Sequence, residues 1–161
     1  MTHNLIILLG ESGFGEKTLV DLFVQKGYKS ISLDDMMKAK LIGHDELGNA
    51  YKRLGEKAGQ LLKNNHVVVG ELCYEDDYSH AFSDEMTRLN DVDVFYFHLV
   101  KYKDDTIQKE KQDRTAQYDN IGAVEIQIGK LTPEDVVDNI LNYILFHHKT
   151  SIDSVLERYH Y

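Results

Sequence analysis

The chain has 161 residues, 42% of them hydrophobic and 28% charged, which fits one soluble globular domain with a real buried core. Its net charge of -9 argues against a nucleic-acid groove or an anionic membrane surface as the main partner, while a local nucleotide pocket stays open. The single Cys73 excludes an internal disulfide, no apolar run approaches the roughly 20 residues of a membrane span, and the first residues lack a secretory-signal pattern, so a cytoplasmic protein is expected.

In chain order, apolar runs alternate with amphipathic stretches. Leu5–Leu9 reads as a strand and Lys17–Lys26 as a helix. Ser30–Leu33 is the next strand, Leu47–Asn64 a helix, and His66–Val69 a third strand. The pattern predicts a helix over Asp77–Leu89, then strands at Val92–Val100 and Val124–Ile128. Continuous apolar strands such as VVV at 67–69 imply burial on both faces, as in a parallel sheet. Strand and helix alternation then gives an α/β layered fold with right-handed crossovers. No repeat, low-complexity tract or linker divides residues 1–161, which read as one domain.

The helix signals are strongest in LTPEDVVDNILNYIL. Thr132 suits the N-cap, Pro133 the first helical position, and Glu134 and Asp135 complement the positive helix end. Val136, Val137, Ile140, Leu141, Ile144 and Leu145 form one apolar stripe that belongs in a core. A second stripe, Ile152, Val155, Leu156 and Tyr159, follows Ser151. It predicts a separate helical extension over 150–161, docked on the body or on a second subunit in a homo-oligomer.

The stretch LIILLGESGFGEKTLV carries the chemistry. Gly10, Gly13 and Gly15 follow a strand and precede a helix, the context in which successive backbone N–H groups and a helix N-terminus cradle phosphate. The strict pattern G-x-x-x-x-G-K-[ST] asks for a lysine at position 16 to reach the outer phosphates and a hydroxyl at position 17 to bind Mg²⁺. The chain has Glu16 and Lys17 there, with Thr18 one place late. Two unit charges about 4 Å apart interact by roughly 4 kcal/mol at an effective dielectric near 20. Exchanging attraction for repulsion would therefore remove a large part of the roughly 8 kcal/mol in micromolar binding. Two escapes exist: the Glu16 side chain turns to solvent, or Lys17 takes over the phosphate contact.

Extended to GESGFGEKTLVDLFVQKGYKSISLDD, the segment resembles the start of small P-loop kinases of the adenylylsulfate, gluconate, shikimate and polynucleotide kinase type. Their loop G-x-S-G-x-G-K-S-T-L aligns without a gap, with Ser12, Gly13, Gly15, Thr18 and Leu19 in place and Phe14 as the variable residue. LLKNNHVVVGELCYEDDY and VEIQIGKLTPEDVVDNILNYI are similar to the third-strand region and the final strand and helix of that group. The resemblance implies a three-layer P-loop NTPase fold: a five-stranded parallel sheet, Leu5–Leu9 central, helices on both faces. It also implies ATP with Mg²⁺ as cofactor, held by Gly10, Ser12, Gly13, Phe14, Gly15, Glu16, Lys17 and Thr18, and a small-molecule or nucleotide acceptor.

By the same resemblance Asp34 and Asp35 take the place of the carboxylates near the acceptor hydroxyl, although an N-cap pair for DDMMKAKL explains them equally. Lys38, one helical turn on, would hold an anionic substrate or pair with Asp34. Arg53 is similar to the substrate-binding arginines of shikimate-type kinases, against the plainer reading of a solvated helix residue. Residues 101–120 fall where these kinases carry a lid, and Arg114 is its candidate phosphate-closing residue. Gly70 stands where an aspartate is expected, with Glu71 adjacent as a substitute. The eight histidines show no metal-ligand spacing, so no metal site held by the protein alone is expected. Two functions follow: an ATP-dependent phosphotransferase, or a non-catalytic P-loop relative that binds a nucleotide or phosphate-bearing ligand or serves as an interaction module.

Overall fold

A computed structural model describes residues 3–10, 13–14, 17–33, 47–72, 82, 84–89, 92–100 and 122–159; for 47–49, 71–72 and 148–159 the description is of the backbone. Strand β1 (His3–Leu9) leads into helix α1 (Thr18–Gln25), strand β2 (Lys29–Ile31), helix α2 (Leu47–Leu62) and strand β3 (Val67–Leu72). Strands β4 (Val92–Val100) and β5 (Val124–Gln127) follow, then helix α3 (Pro133–Tyr159). The five strands form one sheet in the order β2-β3-β1-β4-β5, every neighbouring pair parallel.

The central place of β1 follows from its sequence. Leu5, Ile6, Ile7, Leu8 and Leu9 have no solvent exposure, so a strand without a polar face is covered on both. Its odd residues, with Val67 and Val69 of β3, pack under Tyr51, Leu54, Ala58 and Leu62 of α2 and under Phe82 and Met86. The even residues, with Val68, Phe95, Phe97 and Leu99, pack under Leu19 and Phe23 of α1 and Val136, Val137, Ile140 and Ile144 of α3. The result is three layers, helix, sheet and helix, as the resemblance implies.

Local chemistry sets the element ends. Helix α1 stops in a Schellman turn: the Tyr28 N–H donates to the Phe23 carbonyl at 3.1 Å and the Gly27 N–H to the Val24 carbonyl at 3.0 Å. Gly27 makes that turn with φ +98°, a conformation a side chain resists. At the start of α3 the Asp135 N–H donates to Thr132 Oγ1 at 3.2 Å, and the Thr132 N–H donates back to Asp135 Oδ2 at 3.3 Å. This is a reciprocal capping box with aspartate in the third position. Gly55 of α2 faces the helical turn 84–87, where a Cβ would lie 2.7 Å from Glu85 Cβ. Close approach explains a glycine inside a helix, where it costs about 1 kcal/mol against alanine.

Three elements differ from the sequence reading. The third strand runs on through Gly70 to Leu72 instead of stopping at Val69, and the second ends at Ile31, before Ser32. The extension expected after Ser151 is no separate helix: α3 continues as one element to Tyr159. No proline or glycine interrupts 134–159, and a serine inside a helix costs only about half a kcal/mol. Of the helix predicted over Asp77–Leu89, Phe82 and 84–87 are helical, and 88–89 are not.

Candidate functional site

The strand order fixes where a ligand fits. From β1 the chain crosses to β2 on one side, and from β4 it crosses to β5 on the other. The carboxyl ends of β1 and β4 therefore flank the crevice at which open α/β sheets bind ligands. Leu9 pairs with His98 at that edge, and the glycine-rich loop leaves β1 directly after it.

Gly10 opens the loop with φ +88°, and Gly13 carries φ +79°. A Cβ on Gly10 would stand 3.2 Å from the Leu99 carbonyl oxygen and 3.7 Å from His98 Cδ2. Glycine is thus required here both by backbone angle and by the approach of β4. Phe14 packs against the apolar cluster between the sheet and helices α1 and α3, and anchors the loop from below. The Thr18 hydroxyl donates to the Phe14 carbonyl at 2.9 Å, tying the first residue of α1 to the loop. Lys17 is the exposed N-cap residue with φ -114° and ψ -1°; its carbonyl accepts the first helical bond, from the Asp21 N–H at 2.8 Å. The amides of Thr18, Leu19 and Val20 precede that bond and have no acceptor within the helix. They carry the positive end of α1 toward the loop.

Gly10, Gly13, Phe14, Lys17 and Thr18 are the described residues of the loop and the start of α1. Ser12, Gly15, Glu16, Asp34, Asp35, Lys38 and Arg114, and the lid region 101–120, lie outside the described residues. Arg53 is exposed on α2, outside the stripe formed by Tyr51, Leu54 and Ala58, and matches the solvated reading.

Gly70 is buried on β3. A Cβ there would meet Val20 Cγ2 at 3.4 Å and Ser32 Cβ at 3.6 Å, so an alanine fits but a carboxylate would press on α1. Around it the register slips: β1 advances from Ile7 to Leu9 while β3 advances from Val69 to Leu72. This is a bulge at Gly70–Glu71, a device that re-aims a strand beside a site. The sequence reading took Gly70 as a missing acid and did not foresee the bulge.

His98 was also missed. It is half-buried on β4, its ring 3.7 Å from where a Cβ on the loop's first glycine would stand, and its register neighbour on β5 is Glu125. Its signal was a lone titratable residue near the carboxyl end of the apolar run FYFHLV. Among the described residues no group of three or more histidines, cysteines or carboxylates is arranged to hold a metal.

No protein-family model and no curated protein sequence matches the chain. Solved structures do. The fold is similar to that of the APS kinase of Mycobacterium tuberculosis, solved with AMPPNP and APS, at 12% identity and TM-score 0.58 over 89% of this chain and 98% of that one. It is similar to the tunicamycin resistance protein of Deinococcus radiodurans at 12% identity and TM-score 0.55, over 89% and 96% of the two chains. A Janibacter sugar kinase matches at 8% identity and TM-score 0.54, over 89% and 95%. At these identities the likeness is one of fold: the chain has the three-layer architecture of the P-loop kinases. Among the described residues no helix is long and apolar enough to cross a membrane.

Proposed function

We propose that the chain binds the phosphates of a nucleotide of the ATP class in the loop from Gly10 to Thr18, on a scaffold suited to phosphoryl transfer to a small acceptor. The observation that carries this reading is the joint placement of Gly10, Gly13 and the start of α1 at the β1/β4 crevice. Backbone amides and the helix end supply positive potential that no side chain at position 16 is needed to provide. In the transfer reading, Asp34 or Asp35 accepts the proton of the acceptor hydroxyl, Lys38 holds an anionic acceptor, and Arg114 closes on the phosphates from the lid.

The described residues do not fit Mg²⁺ in the way the family pattern asks. Lys17 occupies the hydroxyl position, the Thr18 hydroxyl is donated to Phe14, and β3 has Gly70 in place of a carboxylate. Those same features favour a second reading, a P-loop protein that binds a phosphate-bearing ligand without turning it over.

Calorimetry with ATP, with and without Mg²⁺, tests the binding. Wild type is expected to bind ATP, and Glu16→Lys to bind at least tenfold more tightly, about 1.4 kcal/mol. The threshold sits well below the Coulomb figure because screening and side-chain rotation absorb much of it. Lys17→Ala should weaken binding if Lys17 has taken over the phosphate contact. Absence of binding by wild type and by Glu16→Lys alike would sink the proposal. Phosphate release or transfer by a protein that binds would separate the two readings.

A further inference from the structure

We infer that His98 is the pH-dependent cation of the phosphate site: when protonated, it strengthens the loop's hold on a doubly charged tetrahedral oxyanion. This rests on the anion-binding reading of the loop given above.

The placement comes from topology. His98 and Leu9 are register partners on the two strands that border the crevice, so the histidine stands at the ligand edge of the sheet beside the loop's origin. Its ring carbon Cδ2 is 3.7 Å from the point a Gly10 Cβ would occupy. The imidazole is thus near enough to the loop's first residue for its charge to act on the start of the cradle, well inside the ~8 Å screening length. The site also lacks the usual cation, because position 16 is a glutamate. A histidine is the side chain whose ordinary titration falls between pH 5 and 8, so a cation supplied this way is conditional.

The surroundings favour such a role. On the β5 side the register neighbour of His98 is Glu125, an exposed carboxylate that accepts a hydrogen bond from Gln127 Nε2. On the β1 side stand Leu9 and Gly10, which are uncharged. Tyr96 lies two residues back along β4 on the same face. Glu85 and Arg88, by the helical turn on that face, are bonded to each other at 3.2 Å. Lys17 is exposed at the far end of the loop. Glu125 thus places a negative charge beside His98 in the sheet register, and its sign favours the protonated imidazole.

Linkage makes the idea measurable in both directions. Sulfate is a suitable probe, since its charge does not change over the range in which histidine titrates. In the wild-type protein, the NMR titration midpoint of the His98 ring should rise by about half to one pH unit on saturation with sulfate. Sulfate affinity, followed on the amides of residues 13–18, should be roughly two- to sixfold higher near pH 6 than near pH 8. In His98→Gln that pH dependence should vanish, while Glu125→Gln should lower the His98 midpoint. Loop amides that respond to sulfate while the His98 midpoint stays fixed would overturn the inference and leave the loop's anion site intact. Loop amides silent to sulfate in every protein would overturn both. The midpoint measurement uses wild type alone, so a poorly folded variant cannot blur it.

Discussion

The two ends of the sheet are built from the same strands and do opposite things. At the amino end, β1 begins at His3 and β3 at Val67, and polar groups at the two strand starts bond to one another. The Asn4 N–H donates to His66 Nδ1 at 2.8 Å, and the Lys29 N–H donates to the His66 carbonyl at 2.8 Å. His3 and Tyr28 pack on the His66 ring at 5.2 and 5.3 Å between centroids, and Phe23 meets Tyr28 edge-on at 5.5 Å. At the carboxyl end the chain turns through two glycines with positive φ, β3 bulges, and the first amides of α1 point into a loop. One end is closed by side chains that satisfy one another. The other brings a glycine-rich turn to the start of a helix, whose first amides have no acceptor within the helix, a combination that suits an anion.

Breaking the open end should have the largest effect. Gly10→Ala imposes a side chain at φ +88° and 3.2 Å from the Leu99 carbonyl. Backbone strain and crowding together should cost about 2–3 kcal/mol in urea denaturation, with loss of ATP binding. An unchanged stability would mean that β4 does not support the loop as described.

At the closed end the expected loss is smaller and purely structural. His66→Phe keeps a ring against His3 and Tyr28 but removes the acceptor for the Asn4 N–H. An unsatisfied, partly buried amide costs about 1–2 kcal/mol. Binding of ATP should be untouched, because the change lies at the opposite edge of the sheet; a drop in affinity with stability preserved would contradict the division between the ends. Gly27→Ala should cost about 1 kcal/mol through the Schellman turn, again without effect on binding. A mutant at wild-type stability would show that another residue can carry the φ of that turn.

The sheet's two ends were not equally legible in the sequence. All five strands announced themselves as strand-like runs, and the central position of β1 was what the resemblance to P-loop kinases implied. The α3 capping box was readable because it is local: Thr132 and Asp135 are three residues apart. The loop glycines were readable for the same reason. What escaped the reading depends on pairing between distant segments. His98 becomes a site residue only when β4 comes to lie beside β1, roughly ninety residues away in the chain. The Gly70–Glu71 bulge exists only relative to the register of β1. The His66 acceptor needs Asn4, 62 residues distant. Periodicity records which face a residue shows; it does not record which strand is its neighbour.

The smallest effect is invisible at neutral pH. Tyr28 is buried at the closed end, and burial pushes its phenol above the ordinary value of 10.0, while a hydrogen bond with the Asn4 side chain acts the other way. Desolvation is the larger influence, because a phenolate among Phe23, His66 and the sheet would leave water with little to replace it. A folded pKa above the unfolded one means that the neutral phenol is the form the fold prefers. The associated stability is fully present below pH 10 and is lost as pH rises through the folded value. Alkaline titration followed by tyrosinate absorbance should therefore show Tyr28 among the late-ionising tyrosines, together with a fall in stability. Tyr28→Phe should reduce the late step by one phenol and flatten the alkaline limb of the stability curve. At neutral pH it should cost only about 0.5–1 kcal/mol, for the lost hydrogen bond with Asn4. A variant whose late step has undiminished amplitude would detach Tyr28 from the closed end.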